Sequence, residues 1–260
     1  MIRIYFVTAA LMLWPHSCDA QESIGRETEK IEASGRIAPA GDVDPEKVAE
    51  IIIDQTNQFR RSEGLKDVSA NEKLMETAVY FAGYMAQHDE YGHEADGKRP
   101  SERADRFDYK YCLISENIAY QYSSRGFKSQ GLAEGFVQGW KESPGHRRNM
   151  LEPAVLETGV AIARSEKTGH WYAVQMFGRP QSAAIEFRIA NRSAVDVEYR
   201  VGDRTFSLPP RLTRTHGLCR PEKLAVQLPA GEETIELKSG ASYVVEDQDG
   251  SLAVKKQTTE

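Results

Sequence analysis

Gly159-Val160-Ala161-Ile162-Ala163 is where the chain changes period. Before it, apolar residues recur at helical spacing; from it onward they run continuously or alternate. Lys167-Thr168-Gly169 reads as a turn, and Trp171 to Phe177 as the strand that returns. Upstream, Asp44-Pro45-Glu46 opens a helix, with Asp44 as N-cap, Pro45 at the first helical position and Glu46 near the positive end of the dipole. Val48, Ile51, Ile52 and Phe59 form its apolar stripe, and Gly64 ends it. A second helix is expected from Ser69, with Glu72 completing a capping box, running out near His88. Its buried face is Leu74, Ala78, Phe81, Ala82 and Met85. Pro100 opens a short helix through Arg106. Another helix spans Gln130 to Trp140, with Leu132, Phe136, Val137 and Trp140 inward, and Pro144-Gly145 closes it. The central unit is therefore expected to be several helices around a small, mostly antiparallel sheet.

After Pro180 the signals are all β. Ile185, Phe187 and Ile189 alternate, as do Val195, Val197, Tyr199 and Val201. Gly202-Asp203 marks a two-residue hairpin. Thr234 to Leu237, Tyr243 to Val245 and Leu252 to Val254 follow, the last two joined around Asp249-Gly250. Short strands at this spacing predict a small sandwich or barrel. The organisation is read as a signal peptide over 1–20, a mobile linker over 21–44, a mixed α+β domain over 45–180 and a β-domain over 183–260.

The leader carries Arg3, an apolar run from Ile4 to Trp14, and small residues Cys18 and Ala20 at the −3 and −1 places of a cleavage site before Gln21. A lipoprotein reading with acylated Cys18 is weaker, because Pro15 stands where a Leu-like residue is wanted. A secreted, periplasmic or extracellular mature chain is expected. No later segment has the 18 or so consecutive apolar residues of a membrane span. The net charge is −6 and no long Lys/Arg run occurs, so nucleic acid and anionic membrane are poor partners. Removing the leader leaves Cys112 and Cys219. They form either one disulfide tying the central domain to the β-domain or two separate, partly buried thiols.

Three polar residues stand out. His93 lies in Tyr91-Gly92-His93, Glu116 in Ser115-Glu116-Asn117, and His146 in Pro144-Gly145-His146, all expected in or beside loops flanking helices. Their spacing specifies no metal. Converged, two imidazoles and a carboxylate would suit zinc with a fourth position open; the alternative is three unrelated polar residues. Glu142 is not placed with His146, since Pro144 and Gly145 interrupt the helix between them. His88 reads as a helix-end histidine. His170 and His216 have no acidic partner that the sequence names. Trp140 and Trp171 read as core.

The blocks Gly92-His93-Glu94-Ala95-Asp96-Gly97 with Pro100 and Arg103, Ser115-Glu116-Asn117-Ile118-Ala119, and Trp140 through Leu151 resemble the bacterial branch of the CAP superfamily. That superfamily holds cysteine-rich secretory proteins, antigen 5 and pathogenesis-related 1 proteins. Thr158-Gly159-Val160-Ala161, Tyr172 to Gly178, Asn57-Gln58-Phe59-Arg60 and Gly64-Leu65 are similar to further blocks of the same family, in the same order. The resemblance covers about half of the chain. It implies an α–β–α sandwich with one open cleft, lined in the family by two histidines and two glutamates and able to bind a divalent cation, often zinc. His93, Glu116 and His146 match three of those places. Two departures stand out: Ser115 replaces a usual glycine, and Ser143 occupies the place of the second glutamate, with Glu142 one residue earlier as a marginal substitute.

Three functions compete on this reading. The first is a secreted binding or interaction module for a small ligand, lipid, peptide or cell-wall component. The second is a metal-dependent hydrolase, with Glu116 as general base or ligand. The third is a structural envelope protein whose polar trio braces the fold.

Overall fold

Asp44 caps the first helix as its sequence demands: its Oδ1 accepts from the backbone N–H of Glu46 at 3.0 Å and of Lys47 at 3.3 Å. The computed structural model describes residues 28–33, 37 and 39–257; the signal peptide expected over 1–20 lies outside them. In chain order the elements are β1 (Glu29–Lys30), β2 (Gly41–Asp42), α1 (Pro45–Ser62), β3 (Ser69–Ala70), α2 (Glu72–His88), β4 (Glu90–Tyr91), α3 (Pro100–Arg106), β5 (Tyr111–Gln121), β6 (Phe127–Lys128), α4 (Ser129–Glu142), α5 (Pro144–Met150), β7 (Glu157–Arg164) and β8 (Trp171–Pro180). The β-domain continues with β9 (Ile185–Asn191), β10 (Val197–Val201), β11 (Arg204–Leu208), β12 (Thr213–Leu218), β13 (Lys223–Leu228), β14 (Gly231–Glu236), β15 (Ala241–Gln248) and β16 (Ser251–Gln257).

The central sheet has strand order β3-β7-β8-β5. Its long pairings are antiparallel, and the short β3 joins β7 in parallel. Because strand side chains alternate, this sheet buries both faces. Val160, Ile162, Trp171, Ala173 and Phe177 pack with Val48 and Ile52 of α1 and with Leu132, Phe136 and Trp140 of α4. Ala161, Tyr172, Val174 and Met176 pack with Leu74, Ala78, Phe81 and Met85 of α2. The result is an α–β–α sandwich. Helix α2 lies so close to β7 that a Cβ on Gly159 would sit 2.2 Å from the backbone of Leu74 and Met75. Only a residue without a side chain permits that approach.

The β-domain is a sandwich rather than a barrel. One four-stranded sheet runs β11-β10-β13-β14 and the other β12-β9-β15-β16. They enclose Phe187, Ile189, Val197, Tyr199, Leu224, Val226, Tyr243 and Val245. The expected hairpins at Gly202-Asp203 and Asp249-Gly250 are present, with Gly202, Asp249 and Gly250 at positive φ. A disulfide joins Cys112 of β5 to Cys219 just after β12. An ion pair between Arg220 and Glu152 at 3.2 Å reinforces this crossing between domains.

Four local expectations are corrected. Within the stretch read as a mobile linker, Glu29–Lys30 pairs with β4 and Gly41–Asp42 pairs with β6. Ser69 belongs to β3, and the cap of α2 is Asn71, whose Oδ1 accepts from Lys73 and Leu74. Pro144 does not merely close α4. It opens α5, because proline suits the first helical turn. Glu116 sits mid-strand in β5 rather than beside a helix-flanking loop.

Candidate functional site

His93 lies in the turn between β4 and α3, Glu116 in β5, and His146 in the first turn of α5. Three elements distant in sequence therefore bring them together. His93 Nδ1 is 2.8 Å from Glu116 Oε1, and the rings of His93 and His146 are 6.4 Å apart between centroids.

A buried arginine fixes this arrangement. Arg103 of α3 is 0% exposed. Its Nη2 donates to Glu116 Oε1 at 3.0 Å, to Oε2 at 2.8 Å and to the carbonyl of His93 at 2.9 Å. Its Nη1 donates to Asp96 Oδ1 and to the carbonyl of Lys98, both at 2.7 Å. Its guanidinium lies 3.5 Å from the centroid of the Phe81 ring, a cation–π contact strengthened by the absence of water. One cation thus closes the whole 93–98 turn and anchors the acid behind His93. Charged side chains are tolerated here because they are paired and hydrogen-bonded.

Two asparagines fasten the other wall. Asn117 Nδ2 donates to the carbonyl of His146 at 3.1 Å. Asn149 Nδ2 donates to the carbonyl of Glu116 at 3.1 Å and to Asn117 Oδ1 at 2.9 Å. Arg60 of α1 ties down the end of α5 through the carbonyl of Met150 at 2.7 Å.

The electrostatics follow from this packing. Burial, then the charge of His93, push His146 down to about 4, with Glu116 acting in the opposite direction. His146 is therefore a neutral imidazole near pH 7. Because the Glu116 carboxylate paired with Arg103 accepts, His93 donates through Nδ1, and in the neutral ring that tautomer puts the lone pair on Nε2. A metal-ligating histidine is commonly oriented by a carboxylate in this manner.

Glu116, by contrast, is buried and engaged. Its side chain is 1% exposed, and its two oxygens accept from Arg103 and His93. Among the described residues no group of three or more His, Cys, Asp or Glu is arranged to hold a metal ion. The expected trio thus meets in space, but as two imidazoles with a carboxylate behind one of them. Glu142, one residue from the place of the second glutamate, is exposed and accepts from Gln138 Nε2 at 2.6 Å. Arg103 and Asp96 were present in the sequence blocks without an assigned role. The available signal was a buried-helix arginine seven residues after an aspartate, with a glutamate that needs a cation.

The remaining histidines lie elsewhere. His88 ends α2 and stacks on Tyr84 at 4.3 Å. His216 is buried in the β-sandwich, 2.7 Å from the Tyr199 hydroxyl. His170 packs against Tyr120 and Tyr122. Trp140 and Trp171 are core, and Trp140 Nε1 donates to the carbonyl of Ile118.

An α–β–α sandwich with a histidine pair backed by a buried Arg–Glu pair defines the class of the central domain. Residues 53–177 match the model of CAP, the cysteine-rich secretory protein family. The chain is 28% identical over 129 residues to the uncharacterized protein YkwD of Bacillus subtilis (strain 168). That match takes in 49% of this chain and 46% of the relative, so the chain spans less than half the length of this curated relative. Among solved structures, an outer surface protein from Borrelia burgdorferi is similar at 17% identity and TM-score 0.47, over 55% of this chain and 99% of that one. An extracellular protein containing a SCP domain from Bacillus anthracis str. Ames is similar at 26% identity and TM-score 0.44, over 52% and 41% of the two chains. The central domain is thus CAP-like over residues 53–177, and the relative it matches is a bacterial protein. Among the described residues no helix is long and apolar enough to cross a membrane.

Proposed function

We propose that this is a secreted binding module whose CAP cleft holds its ligand at the His93–His146 pair. The observation that supports it is the rigid backing of His93: Nδ1 on Glu116, and Glu116 on the buried Arg103. That chain spends two buried charges on orienting one ring. It leaves His93 Nε2 and the neutral His146 as the two uncommitted ring donors of the cleft. Both suit a polar ligand or a divalent cation such as zinc. With two imidazoles and no third protein ligand among the described residues, the cation site is open and weaker than a structural zinc site. When bound, the cation supplies a Lewis-acidic coordination point for an oxygen of the ligand. Binding is favoured over hydrolysis, because Glu116, the candidate general base, has its oxygens occupied by donors.

Calorimetric titration of the mature chain with zinc tests this reading. Saturable binding that is lost in His93→Ala and in His146→Ala supports it. Absence of binding, or binding that survives both changes, refutes the cation role. Turnover on peptide, ester or glycan panels that is lost in the same variants would instead favour the hydrolase.

A further inference from the structure

Two cavities lie in the β-domain, away from the histidine cleft, and their charges differ in kind. One, of about 720 Å³, is lined by Arg200 and Lys223. Both cations there are paired, to Glu232 at 3.3 Å and Glu236 at 2.9 Å. The other, of about 330 Å³, is lined by Arg188, Arg192 and Arg211 together with Thr213, Ser242 and Gln257. Among the described residues no carboxylate lines it, and none of these three guanidinium groups has a hydrogen-bond or ion-pair partner. In a chain with 39 acids and 33 Lys and Arg, three exposed arginines around one concavity concentrate positive charge there.

The backbone holds them there. Arg188 lies in β9 in register with Ser242 of β15, and Ser242 is opposite Gln257 of β16. Thr213 of β12 is opposite Ala190 of β9. At the end of the same sheet, the backbone N–H of Arg192 donates to Val245 and that of Arg211 to Asn191, each at 2.8 Å. Arg211 adopts the left-handed conformation, φ 64°, which a long side chain takes only at a cost in strain.

We propose that this concavity is a second binding site, for a small ligand carrying more than one phosphate-type oxyanion. The guanidinium forks match phosphate oxygens bidentately. The Thr213 and Ser242 hydroxyls and the Gln257 amide are further donors around the same volume. The cavity takes a compact diphosphate-like group rather than a nucleic-acid duplex, consistent with the acidic chain as a whole.

The test is calorimetry on the full chain with pyrophosphate as the probe, beside sedimentation with vesicles containing phosphatidic acid. Saturable one-to-one binding of pyrophosphate is expected, weakening as NaCl is raised. Arg188→Gln and Arg211→Gln should each weaken it at least about tenfold while leaving the thermal midpoint nearly unchanged, since both side chains are exposed and unpartnered. Pyrophosphate binding without vesicle binding supports a small free ligand, and binding of both overturns that assignment, because phosphatidic acid presents a single phosphate at a membrane surface. The proposal is overturned if millimolar pyrophosphate gives no saturable binding, or if the glutamine variants bind as the parent does. It is also overturned if Arg188→Lys/Arg211→Lys keeps full affinity, which would reduce the site to diffuse charge.

Discussion

Arg103 and Glu116, on different elements and both buried, meet through two hydrogen bonds of 2.8 and 3.0 Å. This contact couples the turn that carries His93 to the strand that carries its acid. Removing the cation would leave Glu116 and Asp96 as buried, uncompensated charges. Arg103→Met is therefore expected to destabilise the chain by about 3–5 kcal/mol. Arg103→Lys should recover only part of this, because an ammonium cannot reproduce the fork. Urea unfolding of the three proteins measures both differences.

His146 is held at about 4 when folded, against an ordinary value of 6.5. Between these values the unfolded chain takes up a proton that the folded chain refuses. Its contribution to stability is therefore intact above about pH 6.5, falls as the pH drops, and levels off below about 4. A pH titration followed by NMR should show the His146 ring titrating near 4. In a denaturation series, His146→Gln should flatten the acid limb of the stability curve.

The disulfide between Cys112 and Cys219 spans 107 residues. In the chain-entropy account a loop of that size is worth about 4–5 kcal/mol. The double variant Cys112→Ala/Cys219→Ala should lose a stability of this order in equilibrium unfolding. It should also cleave more readily in limited proteolysis near residues 180–184, where the two domains join.

Gly159→Ala is a test of packing rather than of the site. The added methyl would meet the α2 backbone at 2.2 Å, so helix and strand must part. A loss of about 1–3 kcal/mol is expected from such overpacking, read from the shift in the thermal midpoint. Gly139→Ala, where nothing lies within 4 Å, should cost nothing and provides the control.

Much of this architecture is legible in the sequence because its signals are local. Asp44-Pro45 sets the start of α1, Pro100 the start of α3, and alternation from Gly159 onward the sheet. The eleven-residue β5 is the main element that escaped. Its run Ser115-Glu116-Asn117 places polar residues where a buried strand should be apolar, and tertiary partners, chiefly Arg103 and Asn149, make that tolerable. Pro144 was ambiguous for a related reason: the same residue ends one helix and begins the next. The convergence of His93, Glu116 and His146 was suggested by family resemblance, not by spacing. The anchoring of Glu116 was invisible without Arg103, because only proximity shows that the carboxylate accepts from a buried guanidinium.

The central claim is that Glu116 sets the tautomer of His93 and leaves Nε2 for the ligand. Long-range proton–nitrogen correlation of the histidine rings at pH 7, without and with zinc, tests it most directly. The account predicts a proton on Nδ1 of His93, a bare Nε2, and zinc-dependent shifts in His93 Nε2 and in the His146 ring. A His93 proton on Nε2, or zinc that moves neither ring, would contradict it.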